Sequence, residues 1–321
     1  MLDVVVCGLV GRDLVVAVRA LPDAGSSTEV EQRLELLGGA VNQAVGARQM
    51  GLTAGVVGVV GDDDDGAWVL ARARDDGLDV RGLVLREGAA TALVVDVVEA
   101  GGARRLLEHV PESVRLTCAD VRAATPVIRS ARAVLVDAAQ PPEAVREALD
   151  VARRGGALTV LDGPADDEQT LALADVVRAD VDEAGALTSQ LPGDAEDVRD
   201  AAYGLLARGP RLVALAVPGG GNLVVSREER GTAEVLMPLL GDRPVDPTGG
   251  GDAFVTGLVA ALLDGRDGVT AGWWASSAAA LTVDHLGGRP GLGRGRVLRL
   301  ADEARANDEA ARRGSRRDGL S

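Results

Sequence analysis

Residues 246–254 read Asp246-Pro-Thr-Gly-Gly-Gly-Asp252-Ala-Phe, and residues 253–264 continue as AFVTGLVAALLD, an apolar run long enough for about three helical turns. Gly249, Gly250 and Gly251 therefore stand where a helix begins. A first helical turn leaves amide N–H groups without partners and carries the positive end of the helix dipole. It can hold phosphate oxygens where no side chain blocks their approach. Glycine removes that obstacle. A carboxylate at Asp252 repels the anion unless it has a task of its own, and the task that fits is accepting the proton of an alcohol that attacks a bound phosphoryl group. With an ordinary pKa of about 3.9, Asp252 is expected to be ionised at neutral pH. The plain alternative is a glycine-rich turn with Asp252 as a helix cap.

A second glycine pair opens another helix. Leu37-Gly38-Gly39-Ala40-Val41-Asn42 leads into a helical stretch that ends near Met50-Gly51. Adjacent glycines admit a ligand close to the backbone, and Asn42 offers both a donor and an acceptor, which suits a polyol. Around these motifs, β-branched runs at residues 2–10, 55–60, 133–136, 158–161 and 212–217 alternate with helical stretches at 142–154, 166–174 and 194–207. That alternation predicts an α/β fold with a central, mostly parallel sheet covered by helices on both faces. Residues 14–37 and 91–109 break the rhythm. The second contains Glu99-Ala-Gly-Gly102 between two apolar runs, a hairpin signal, and a small antiparallel flap of this kind suits an active-site lid. One domain over residues 1–300 is expected, with 301–321 as a final helix fraying into disorder.

Composition narrows the chemistry. The 321-residue chain has a formal net charge of -15 and 2 % aromatic residues, so it repels nucleic acid and anionic membranes and offers few platforms for stacking bases. It contains no lysine, which excludes a Walker A phosphate loop and a lysine Schiff base. Cys7 and Cys118 lie far apart without CxxC spacing, consistent with a reducing cytoplasm, and no apolar run reaches membrane-spanning length. The turn Gly8-Leu-Val-Gly11 lacks the dinucleotide fingerprint G-x-G-x-x-G. The acidic run at residues 62–65 reads as a solvated helix start, and His109 and His285, lacking fixed partners, as structural residues.

In order and position, the two glycine motifs resemble the two signatures of the ribokinase-like (PfkB) carbohydrate kinases. The resemblance implies ATP-dependent phosphorylation of a sugar hydroxyl, with Asp252 as base and Gly249, Gly250 and Gly251 as the anion hole. It implies Asp13, Gly38, Gly39 and Asn42 as the sugar floor. Asp180 and Glu183 stand in an Asn-x-x-Glu-like segment, where Glu183 would organise magnesium through water; Gly219, Gly221, His285 and Gly288 would wall the nucleotide. Cofactors implied are ATP and Mg2+, with a monovalent cation as an optional addition, and the implied partner is a second copy bound through the lid. The chain departs from the pattern at Pro247, Gly250, Asp180 and Pro218, and has Ala139 where ribokinases carry a glutamate. A nucleoside kinase of the same fold and a non-catalytic ligand-binding relative stay open as alternatives.

Overall fold

The computed structural model describes residues 1–164, 167–188, 192–241 and 244–318. Along the chain the strands are β1 (Leu2–Cys7), β2 (Val10–Val18), β3 (Val30–Gly39), β4 (Ala54–Gly61), β5 (Asp79–Arg86), β6 (Ala92–Glu99) and β7 (Arg104–His109). There follow β8 (Ala131–Asp137), β9 (Leu158–Asp162), β10 (Val176–Ala179), β11 (Leu212–Ala216), β12 (Asn222–Glu228) and β13 (Gly231–Met237). Among the described residues they form a nine-stranded sheet, ordered β13-β12-β11-β10-β9-β8-β1-β4-β5, and a four-stranded sheet, ordered β3-β2-β6-β7. The large sheet is parallel except where β11, β12 and β13 pair antiparallel. The expected α/β fold with a second, smaller sheet is borne out.

Strand periodicity explains the layers. Val4 and Val6 of β1 and Ala133 and Leu135 of β8 enter one apolar cluster, while Val5, Cys7, Val134 and Val136 enter the other on the opposite face. Both faces of the sheet are thus covered by helices, and β4 is buried along its whole length. The core is built of Val, Leu and Ala, with Phe254, Trp273 and Trp274 among its large members.

Residues 2–10 do not form one strand. The chain leaves the large sheet after Cys7 and enters the small one at Val10, because Gly8 passes too close to its neighbours for a side chain: a Cβ there would lie 2.6 Å from the Ala40 Cβ and 2.7 Å from the Asp137 Cβ. The change of composition at Ala301 is likewise not a structural boundary. It falls inside the helix Arg294–Asp318, where Val297 and Ala301 are buried against the core; residues 319–321 lie outside the described residues, as does residue 166.

Three helices set up the central cleft. Gly250–Leu263 lies against Gly268–Val283 at Gly257, whose absent Cβ would be 2.7 Å from the Trp274 carbonyl, and against Val41–Gln49 at Gly46, whose absent Cβ would be 3.1 Å from Thr256. This close contact brings the start of the Gly250 helix beside Asn42 and Gln43. It also faces the carboxyl ends of the parallel strands, where open α/β sheets bind their ligands.

Candidate active site

Gly249 caps the Gly250–Leu263 helix in a left-handed conformation, φ 73°, which a side chain would strain. Its amide plane passes so close to the 285–288 loop that a Cβ would sit 2.0 Å from the Gly288 carbonyl oxygen. Gly250 N–H reaches the Pro247 carbonyl only at 3.4 Å, and among the described residues no acceptor takes the N–H of Gly251 or Asp252. The helix thus presents unsatisfied amides at its mouth.

Asp252, in the first turn, accepts a hydrogen bond at 3.0 Å from Gln43 Nε2, which also donates to Asp162 Oδ2 at 2.7 Å. Asp162 in turn accepts from Arg178 Nη1 at 3.2 Å, and Glu183 Oε2 stands 3.6 Å from the same nitrogen. Register explains the row: Asp137 pairs with Asp162 across β8 and β9, and Asp162 with Arg178 across β9 and β10, all near the strands' carboxyl ends. Burial first, then the charge of Asp162, pushes the Asp252 carboxyl up to about 7. Asp252 is therefore only about half ionised at neutral pH, not fully ionised as its ordinary pKa suggests. Burial also raises Asp162 and Glu183, while the Arg178 guanidinium, although desolvated, is held above its usual value by Asp162 and Glu183.

Arg178 fills the space before the glycine turn. A Cβ on Gly251 would meet its Nη2 at 2.6 Å. Beside it opens a cavity of about 320 Å³, with Arg178, Gly250 and Gly251 at one end and Val217, Leu240, Phe254, Ala279 and Val283 among its apolar walls. Amides and a guanidinium at one end of an apolar slot match a ligand with an anionic head and a flat, weakly polar body.

A family model described as pfkB family carbohydrate kinase matches residues 1–292. The chain belongs to that family. It is an ATP-dependent kinase of the ribokinase type, acting on a sugar hydroxyl. A mouse ribokinase is 28 % identical over 260 residues, covering 79 % of this chain and 80 % of that protein. A bifunctional ribokinase/ribose-5-phosphate isomerase A of Fructilactobacillus sanfranciscensis is 26 % identical over 293 residues, covering 89 % of this chain and 54 % of that protein, so this chain spans about half of that relative. Among solved structures, Arabidopsis thaliana ribokinase complexed with ribose and ATP superposes with a TM-score of 0.75 at 21 % identity, covering 94 % of this chain and 98 % of the other.

The other predicted residues of this pfkB kinase fall into three groups. Asp13, on β2, lies against Gly38, where a Cβ would meet Asp13 Oδ1 at 1.9 Å, and Gly39, φ 75°, touches the Leu9 carbonyl. Asn42 is buried in the first turn of its helix, next in sequence to Gln43, with Oδ1 unpartnered. Gly221 lines the cavity next to Gly220, in the β11–β12 turn; Gly219 precedes it with open space around it. Asp180 and Glu183 cap each other reciprocally, Asp180 N–H to Glu183 Oε2 at 2.7 Å and Glu183 N–H to Asp180 Oδ1 at 2.8 Å, which holds Glu183 beside Arg178. His285 lies apart: it is exposed, does not line the cavity, and bonds the Arg289 carbonyl at 3.0 Å. Gly288 is a buttress of the Gly249 turn.

Sequence reasoning missed Gln43, Asp162 and Arg178. Gln43 directly follows the Gly38–Asn42 motif. Asp162 and Arg178 each interrupt an apolar strand near its carboxyl end, a signal available from the pattern alone. The acidic run proved to be a helix start: Asp63 caps the helix Asp64–Asp75, accepting from Gly66 N–H at 2.8 Å and from Thr91. Among the described residues no group of three or more His, Cys, Asp and Glu side chains can hold a metal directly.

Proposed function

We propose that Asp252 is the general base of this kinase, that the amides of Gly250, Gly251 and Asp252 receive the migrating phosphoryl group, and that Arg178 clamps it. The observation that carries this reading is that unsatisfied helix-end amides and a guanidinium stand at one end of the cavity, with the Asp252 carboxylate in the same helical turn and close to Arg178. The acceptor hydroxyl, resting against Asp13, Gly38, Gly39 and Asn42, donates to Asp252. A carboxyl near 7 is a stronger base than an ordinary aspartate and takes the proton as the oxygen bonds to phosphorus. Arg178 lies where negative charge builds on the equatorial oxygens, and its planar fork suits a phosphoryl group. It supplies the cation that a lysine-free chain cannot take from a phosphate-loop lysine.

The nucleotide occupies the cavity, its base between the apolar walls and its phosphates toward Gly250. Magnesium belongs to the proposal as an ion carried in on the phosphates: Asp162, Asp180 and Glu183 are hard oxygen donors on that side, fit to hold its waters rather than to cage it. When bound it would neutralise the phosphate charge. A monovalent cation is kept beside it as an optional activator.

The small sheet acts as the lid. A Cβ on Gly287 would meet Leu36 Cδ1 at 2.6 Å, so the lid's inner face already rests on the 285–288 loop, and closure there excludes water that would compete as acceptor. Leu106 and Leu107 of β7, 41 % and 62 % exposed, favour a second copy joined through this sheet. No helix among the described residues is long and apolar enough to cross a membrane, and a cytoplasmic location is part of the proposal. ADP release measured across pentoses, hexoses, aminated sugars, sugar acids and nucleosides tests it; failure to release ADP above the ATP-only rate with any acceptor would overturn it.

A further inference from the structure

Four buried side-chain atoms have no hydrogen-bond partner among the described residues: Asn42 Oδ1, Gln43 Oε1, Asp96 Oδ1 and Ser277 Oγ. The first three border the acceptor side of the site, and all are acceptor oxygens. The Gln43 amide cannot be turned round, because its nitrogen already donates to Asp162 and Asp252. Asp96, 2 % exposed, belongs to the inner face of the small sheet. Register puts Asp13, Val94 and Glu108 in one row of that face and Val15, Asp96 and Leu106 in the next.

This face is short of positive charge. Asp13 has no hydrogen-bond or ion-pair partner among the described residues, and burial, then Asp96 and Glu108, pushes its carboxyl up to about 7. The Thr248 hydroxyl oxygen lies 3.0 Å from Asp96 Oδ2 and 2.6 Å from Asp246 Oδ1, and it accepts from Arg104 Nη1 at 2.5 Å. Arg104 donates to the Thr248 hydroxyl and its charge favours ionised Asp96, while no cation among the described residues offsets Asp13.

We propose that the acceptor carries a protonated amine beside the hydroxyl that is phosphorylated, as an amino sugar or aminocyclitol does, and that Asp13 and Asp96 take the ammonium while Asp252 takes the hydroxyl. This rests on the kinase reading above and names its substrate class. An ammonium brings three donors and no acceptor to a wall of unpaired acceptors, together with the countercharge that buried carboxylates need. A neutral hydroxyl brings one donor and no charge. A sugar phosphate or sugar acid brings a second anion into a face already crowded with them.

The test uses the full chain and matched pairs of ligands that share one skeleton: an amine, its hydroxyl counterpart and its N-acetyl derivative, in pentose, hexose and cyclitol series. Titration calorimetry should show the amine binding roughly ten- to a hundredfold tighter than its hydroxyl counterpart in at least one series, the range of one charged hydrogen bond. Asp96→Asn and, separately, Asp13→Asn should cut that ratio about tenfold. Equal or tighter binding of the hydroxyl member in every series, an unchanged ratio in both variants, or no binding by any amine overturns the proposal. ADP release with neutral sugars and no preference for amines keeps the kinase reading and removes this one. Amine binding without ADP release removes the kinase reading and, with it, the amine's role as acceptor, leaving only an ammonium-binding site.

Discussion

Replacing Gln43 by leucine tests the electrostatic logic of the base with little change in volume. One amide nitrogen lies between Asp252 Oδ1 at 3.0 Å and Asp162 Oδ2 at 2.7 Å, and it is the only group among the described residues that donates to the Asp252 carboxylate. Removing it leaves two buried carboxylates facing each other. A hydrogen bond to a charged group contributes about 1.5–3 kcal/mol, and one pKa unit is about 1.4 kcal/mol, so Asp252 should rise from about 7 to about 8–9. The base works only when ionised, so the acid limb of kcat/KM should move up by about one to two pH units. At pH 7 the ionised fraction falls from about one half to between about one tenth and one hundredth, a loss of roughly five- to fiftyfold that alkaline pH restores. Asp13 also titrates near 7, but Gln43 does not touch it, so its share of the limb stays in place. The assay is coupled ADP release from pH 5.5 to 9.5. A limb that stays, a limb that moves toward acid, or an equal loss at every pH would refute the argument.

Other substitutions follow from the same geometry. Asp252→Asn should cost at least about a hundredfold in turnover while melting higher than the parent at pH 8. The folded pKa of Asp252 exceeds its unfolded value, so the penalty is absent below about pH 4, grows up to about 7 and is constant above, with an upper bound of about 4 kcal/mol; calorimetry at pH 5 and 8 reads it. Arg178→Met should lower kcat by about a hundred- to a thousandfold and leave Asp162 and Glu183 uncompensated, while Arg178→Lys should recover the stability and only part of kcat, as steady-state kinetics and thermal melts will show. Gly249→Ala should destabilise the fold, because its Cβ would strike the Gly288 carbonyl at a positive φ. Gly251→Ala should stay folded but inactive, since its Cβ meets only the movable end of Arg178; melts and ADP release compare the two.

Much of this was legible in the sequence. The alternation of apolar strands with helices gave the parallel sheet, the helix at Pro142–Arg154 has the predicted limits, and the two glycine motifs lead to the family that the comparison establishes. What could not be read was lateral. Which strand ends stand side by side depends on sheet order, so the row of Asp137, Asp162 and Arg178 is invisible until β8, β9 and β10 are placed. The shift of Asp252 to about 7 was hidden for the same reason, because burial and the charge of Asp162 come from a segment ninety residues away. His285 shows the converse: a motif position can lie near the right loop while its ring bonds the Arg289 carbonyl and does not line the cavity.

The two sheets divide the labour. On the proposed mechanism, transfer rests on the large sheet and the helix start, whereas Asp13 and Asp96 ride on the four strands of a separate sheet. On that reading, an exchange of side chains on the smaller platform should change what is admitted without disturbing how phosphorus moves. The same division makes grafting a foreign flap onto this body a way to redirect its choice of acceptor while keeping the transfer machinery.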